Sequence, residues 1–117
     1  MAQKQQINII VENTVAQGAT VTNESAIIPN GKTIMVTKFG GYERVQSVST
    51  GIIALQIGSG AAWTTIRVGG GGAPFEFDLQ RTFVGDGIKK FRIVRINKDP
   101  AASSPKEMAA WIEAVVL

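Results

Sequence analysis

The chain has 117 residues, of which 44% are apolar and 18% charged, with a formal net charge of +3. That is the size of one ordinary domain, long enough to bury a core without disulfides or metal. Its charged fraction lies below the roughly 25% of an average soluble protein. With no cysteine and no histidine, the chain has no disulfide framework, thiolate nucleophile, imidazole base or Ser-His-Asp triad, and no zinc site of the usual kind. A lightly charged surface is inexpensive to desolvate, which suits a protein that packs against copies of itself or against other chains.

Fourteen Ile and eleven Val stand against three Leu. β-Branched side chains lose rotamer freedom in a helix and pack well on a pleated sheet. The glycines cluster between apolar runs, where they serve turns. This pattern predicts an all-β chain of short strands, a sandwich or a barrel, in one domain spanning residues 1–117. No apolar run approaches the ~18 residues of a membrane span, and the Met1-Ala2-Gln3-Lys4 start does not read as a secretory signal.

In chain order, residues 7–11 alternate as a half-buried first strand, with Ile7, Ile9 and Val11 on one face. Short strands are predicted at 20–23 and 25–28. Pro29-Asn30-Gly31-Lys32 is a turn, because proline presets one φ and Asn-Gly tolerates positive φ. Residues 33–39 run extended until Gly40-Gly41 breaks them, and 42–49 and 52–57 read as further strands. Gly58-Ser59-Gly60 is a hairpin connection into 61–68. Gly69 to Gly72 forms a flexible stretch.

Phe75, Phe77 and Leu79 then share one strand face and Glu76, Asp78 and Gln80 the other. Gly85-Asp86-Gly87 marks a turn before a strand at 88–96, and 97–105 is a polar loop. Residues 107–117 fit two patterns. Met108, Trp111, Ile112, Val115 and Val116 have helical spacing behind a capping-box-like Ser104-Pro105-Lys106-Glu107. Met108, Ala110, Ile112, Ala114 and Val116 alternate as a strand face, the reading favoured in an all-β chain. In either case the apolar Val115-Val116-Leu117 end is expected to be docked.

Several patterns resemble sites. Gly31-Lys32-Thr33 is like the end of a phosphate-binding loop, but Ala26 stands where the motif needs glycine and β-branched residues follow where it needs a helix. Gly69 to Gly72 lacks the strand–glycine–helix setting of an anion cradle. Glu76 and Asp78, about 7 Å apart along one strand face, could serve acid–base chemistry or hold calcium, though a solvated face explains them equally. Lys89, Lys90, Arg92, Arg95 and Lys98 place five cations in ten residues, as nucleic-acid binding would need. An extended strand splits them, with Lys90, Arg92 and Lys98 on one side and Lys89 and Arg95 on the other. Pairing of Lys90 or Arg92 with Glu76 or Asp78 would neutralise part of the cluster.

Nucleic acid is therefore not the expected partner. No cofactor, metal or membrane is implied. Trp63 and Trp111, set among Ala and Ile, suggest core or subunit contact. A sugar-binding module would instead need Tyr42, Trp63 or Trp111 exposed.

The run Phe83-Val84-Gly85-Asp86-Gly87-Ile88-Lys89-Lys90-Phe91-Arg92-Ile93-Val94-Arg95, with Lys106-Glu107-Met108 and Trp111, resembles the C-terminal part of small phage- and prophage-encoded β-sandwich proteins of tailed-phage particles. It departs after the tryptophan, where Ile112-Glu113-Ala114-Val115-Val116-Leu117 replaces glycine and charge. The resemblance implies an antiparallel β-sandwich of jelly-roll type and a virion component assembled in the host cytoplasm, a head-surface decoration or tail-apparatus protein. Its partners would be copies of itself and other virion proteins. The residues expected at such interfaces are Trp111, Val115, Val116, Leu117, Lys90 and Arg92. The alternative is a module binding a cell-surface glycan.

Overall fold

In the computed structural model, residues 6–16, 18–43, 51–70, 74–97 and 106–117 are described. Their backbone forms eight strands: β1 (Gln6–Val15), β2 (Thr20–Glu24), β3 (Thr33–Glu43), β4 (Gly51–Ser59), β5 (Ala62–Gly70), β6 (Phe75–Val84), β7 (Lys90–Asn97) and β8 (Lys106–Val116). They pair antiparallel into two four-stranded sheets, ordered β1-β8-β3-β6 and β2-β7-β4-β5. Chain neighbours alternate between the sheets except at the β4–β5 hairpin, which is the double Greek-key wiring of an eight-stranded jelly roll. The predicted fold class is the observed one, and no helix occurs among the described residues.

The core comes from the inward half of each alternation. Ile34, Val36 and Phe39 of β3, Ile53 and Leu55 of β4, Phe91 and Ile93 of β7, and Met108, Ala110, Ile112 and Ala114 of β8 join one buried cluster. Residues 106–116 are thus a strand. Their period-two pattern gives β8 two neighbours, β1 and β3, whereas a helix could pair with neither. Leu117 is held at the end by its N–H donating to the Thr33 carbonyl (2.9 Å).

Four expectations are corrected. Gly40-Gly41 does not end its strand, and β3 runs through both to Glu43. A β-carbon at position 40 would lie 2.6 Å from the Trp111 ring, and one at 41 would lie 2.7 Å from the Ala109 carbonyl oxygen. These glycines admit a close neighbour rather than break a strand. Tyr42 accordingly belongs to β3, while the rest of the strand expected at 42–49 lies outside the described residues beyond Glu43.

Residues 25–28 do not form a strand either. Ser25 exchanges backbone and side-chain bonds with Phe91: its N–H reaches the Phe91 carbonyl (2.8 Å), and its hydroxyl accepts the Phe91 N–H (2.9 Å). The hydroxyl takes the place that a strand carbonyl would occupy, and the ladder stops. Ile28 then plugs the end of the core, fully buried. Finally, Gly69 and Gly70 are part of β5; 71–73 lie outside the described residues, as does most of the 97–105 loop.

Two turns follow their chemistry. Lys32 N–H bonds the Pro29 carbonyl (3.1 Å) and Gly31 takes φ +78°, a type II arrangement with glycine at its third position. Asp86 Oδ1 accepts the N–H groups of Ile88 (2.9 Å) and Lys89 (2.8 Å). Those two bonds hold its carboxyl below the usual aspartate range, the Lys89 amide contributing most.

The two sheets are also tied by buried polar groups. Arg95 is fully buried. Its Nη1 donates to the Met108 carbonyl across the sandwich (2.7 Å) and its Nη2 to Asn23 Oδ1 (2.9 Å). Burial pushes its guanidinium down from the usual arginine range. Asn97 Nδ2 donates to the Val15 carbonyl (3.0 Å), a second link from β7 to the other sheet. On edge strand β5, Arg67 lies over the Phe77 ring of edge strand β6 at 4.1 Å.

Candidate functional site

Because inward positions of β8 are even-numbered, Trp111 is forced onto the outer face of the first sheet. There the register places it between Ile10 of β1 and Gly40 of β3. The glycine lets the indole lie down against the backbone. Trp111 Nε1 donates to Glu76 Oε2 (3.1 Å), and Glu76 Oε1 pairs with Lys38 Nζ (3.5 Å). The Glu76 carboxylate is the largest cause of a raised Lys38 pKa. The Tyr42 ring centroid is 6.4 Å from that of Trp111, and Ile10 beside it is 76% exposed. The result is an aromatic and aliphatic platform with a hydrogen-bonded carboxylate and ammonium on one rim.

The outer face of the second sheet carries a different arrangement. The Arg92 guanidinium lies 4.1 Å above the Trp63 ring, an interaction of ~0.5–1 kcal/mol at exposed sites. Arg92 Nε donates to Gln56 Oε1 (2.7 Å), and Gln56 Nε2 to Thr65 Oγ1 (3.0 Å). Trp63 Nε1 donates to the Gly60 carbonyl (2.8 Å). Lys90 pairs with Glu24 (3.2 Å). Next to this polar row the cross-strand register aligns Val94, Ala54 and Val68, then Ile96 and Ile52.

Pairing of Lys90 or Arg92 with Glu76 or Asp78 does not occur, since β6 and β7 belong to different sheets. Arg95 is also no part of a cationic face: it shares its side of β7 with Phe91 and Ile93 and goes inside with them. That alternation is visible in the sequence and was the signal for its burial. The tryptophans are not core residues. Both are half-buried on outer faces, because odd positions of β8 and Trp63 opposite Gly58 of β4 face away from the interior.

The six expected interface residues are not gathered into one patch. Trp111 and Val115 share the outer side of β8, while Lys90 and Arg92 lie on the outer face of the other sheet. Leu117 is 56% exposed at the chain end. Val116 turns inward with Ile112 and Ala114 and packs against the core, so it belongs to stability. Gly31-Lys32-Thr33 is a turn entering β3. Among the described residues, no group of three or more His, Cys, Asp or Glu side chains is placed to hold a metal ion.

Placing a side chain under Trp111 tests the platform. Gly40→Val is expected to lift the indole from the sheet and break its bond to Glu76, at a stability cost of ~2 kcal/mol from overpacking. Tryptophan emission should shift to the red with the circular dichroism spectrum unchanged. Unaltered emission would mean that Trp111 does not rest on Gly40.

No protein-family model matches the sequence, and no curated protein matches it. Solved structures do share its fold. The Yersinia pseudotuberculosis-derived mitogen YPM superposes with a TM-score of 0.51 at 12% identity, over 94% of this chain and 86% of that one. A chain in the structure of infectious bursal disease virus Gx strain gives a TM-score of 0.51 at 15% identity. That match covers 98% of this chain and 32% of the viral one, so the chain spans about a third of the length of its viral counterpart. PirA aligns at a TM-score of 0.45 and 12% identity, over 89% and 92% of the two chains. At these identities the likeness to the first two is one of fold.

Proposed function

We infer that this chain is a non-enzymatic structural component of a tailed-phage particle, on the head surface or in the tail apparatus. It acts by contact with copies of itself and with other virion proteins, and takes its place in the virion during assembly in the host cytoplasm. The observation that carries this reading is the outward use of apolar surface. A jelly roll with its core already filled still presents Ile10, Trp111 and Tyr42 on one sheet and Ile52, Val68 and Ile96 on the other. Apolar and aromatic groups on a lightly charged surface are what a protein–protein interface buries. The absence of His and Cys from the sequence, the sandwich shared with a chain of a virus structure, and the phage-like run from Phe83 to Trp111 lend support.

Co-sedimentation tests it. Purified chain added to particles that lack it should band with them at a fixed stoichiometry. Failure to bind, from a protein that stays monomeric at high concentration, would overturn the reading.

A glycan-binding module is the second reading, favoured by the Trp111–Tyr42 pair beside Glu76 and Lys38. Sugar C–H faces stack on such rings while carboxylate and ammonium groups take hydroxyls. A glycan array read by tryptophan fluorescence separates the two: quenching or enhancement by a defined sugar supports the module, and silence across the array removes it.

A further inference from the structure

A sandwich of two four-stranded sheets has four edges, and three are unsuited to receive another strand. Edge strand β2 has only five residues. Edge strand β5 bulges at Ile66, where the pairing steps from Leu55–Arg67 to Gln56–Thr65. Edge strand β6 carries an extra residue between its pairs with Val36 and Lys38, with Gln80 in the left-handed region at φ 53°. Short length and bulges are the devices by which proteins keep sheet edges from pairing. The fourth edge, β1, has none of them. It is ten residues long and pairs with β8 without a register shift from Gln6–Val115 to Val15–Lys106. It contains no Lys, Arg or Pro, and its one charge is Glu12. Among the described residues no strand pairs with its other side.

We propose that β1 is the self-association edge of this protein, pairing antiparallel with β1 of a second copy about a twofold axis at Ile10. The inference rests on the structural reading above and names its surface and partner. A twofold axis makes the contact isologous, so one strand must be complementary to itself. Centred on Ile10, the register aligns residues 6–14 of one copy with 14–6 of the other. Ile10 then meets its own counterpart, and Glu12 meets the uncharged Asn8 position, so no like charges oppose. The choice of centre follows from the outer face. Ile10 is 76% exposed and next to Trp111 in register, so this pairing covers it and continues the apolar row from Trp111 through two isoleucines to the second Trp111. Two four-stranded sheets become one of eight.

The chain lacks cysteine, so a single introduced thiol reports one position. The wild type should be a dimer by light scattering. Ile10→Cys should be captured mostly as a covalent dimer by a short bismaleimide. Thr82→Cys, on β6 at the far edge of the same sheet, should be captured in less than about a tenth of molecules. Ile10→Lys, at an exposed position, should keep the wild-type circular dichroism while weakening dimerisation about a hundredfold.

If oligomers persist in Ile10→Lys, and Ile10→Cys crosslinks no better than Thr82→Cys, copies meet elsewhere; the edge assignment falls and the structural role stands. A monomeric wild type that still binds particles likewise refutes self-pairing alone. A monomer that binds no particle refutes both.

Discussion

Arg95→Met is expected to cost about 3 kcal/mol of folding free energy, which for a chain of this length lowers the melting temperature by about 10 °C. Methionine reproduces the apolar stem of arginine but stops short of the guanidinium, so the packing of the stem is largely kept. What disappears is a charged donor serving two acceptors, the Met108 carbonyl and the Asn23 side chain. Hydrogen bonds to charged groups contribute ~1.5–3 kcal/mol each, and a buried carbonyl left without its donor costs ~1–3 kcal/mol. Removing the buried guanidinium itself returns part of that cost, which is why the net figure is not larger. Arg95→Lys keeps the charge but not the fork that reaches two acceptors in different sheets, so it should recover less than half. Urea titration checks both variants. A midpoint for Arg95→Met equal to the wild type would show that the tie between the sheets contributes nothing.

Phe39→Ala is the second large effect, about 4 kcal/mol. Phe39 is fully buried on β3, between Ile112 of β8 and Phe77 of β6, and its ring meets Phe75 edge-on at 5.4 Å and Phe77 at 6.3 Å. Truncation removes the transfer energy of the ring, leaves a cavity beside Phe75 and Phe77, and loses ring–ring terms of ~0.5–1.5 kcal/mol. The damage extends to the edge, because Phe77 also carries Arg67 of the opposite sheet. Phe39→Leu keeps most of the volume and should cost about 1.5 kcal/mol. Equal urea midpoints for the alanine and leucine variants would mean that the cavity closes and that the aromatic cluster does not hold β6 in place.

The fold class was legible because it depends on composition and period: Ile and Val dominate, and alternations such as Phe75-Phe77-Leu79 and Met108 to Val116 assign faces directly. What the sequence hid was pairing. Gly40-Gly41 reads as a breaker in isolation, and only the Trp111 ring and Ala109 carbonyl across the ladder explain two glycines inside an eleven-residue strand. Ser25 looks like the start of a strand until its hydroxyl is seen to replace a carbonyl partner for Phe91. The cationic run was misjudged for a related reason. Charge invites a surface assignment, yet period two puts Arg95 with Phe91 and Ile93, and its acceptors come from elsewhere in the chain, the Met108 carbonyl of the other sheet and the Asn23 side chain of β2. The outer-face surfaces were half legible: Trp111, Tyr42 and Glu76 were each singled out, whereas their meeting with Ile10 and Lys38 on one face depends on a pairing of strands that no linear spacing reveals.

A structural role makes the composition of the particle the decisive observation. Under the proposed role, quantitative mass spectrometry of gradient-purified particles whose genome carries the gene for this chain should find it in many copies, in fixed ratio to the other virion proteins and retained through washing at high salt. Particles that are complete and infectious without it, while the chain remains free in the lysate, would contradict that role.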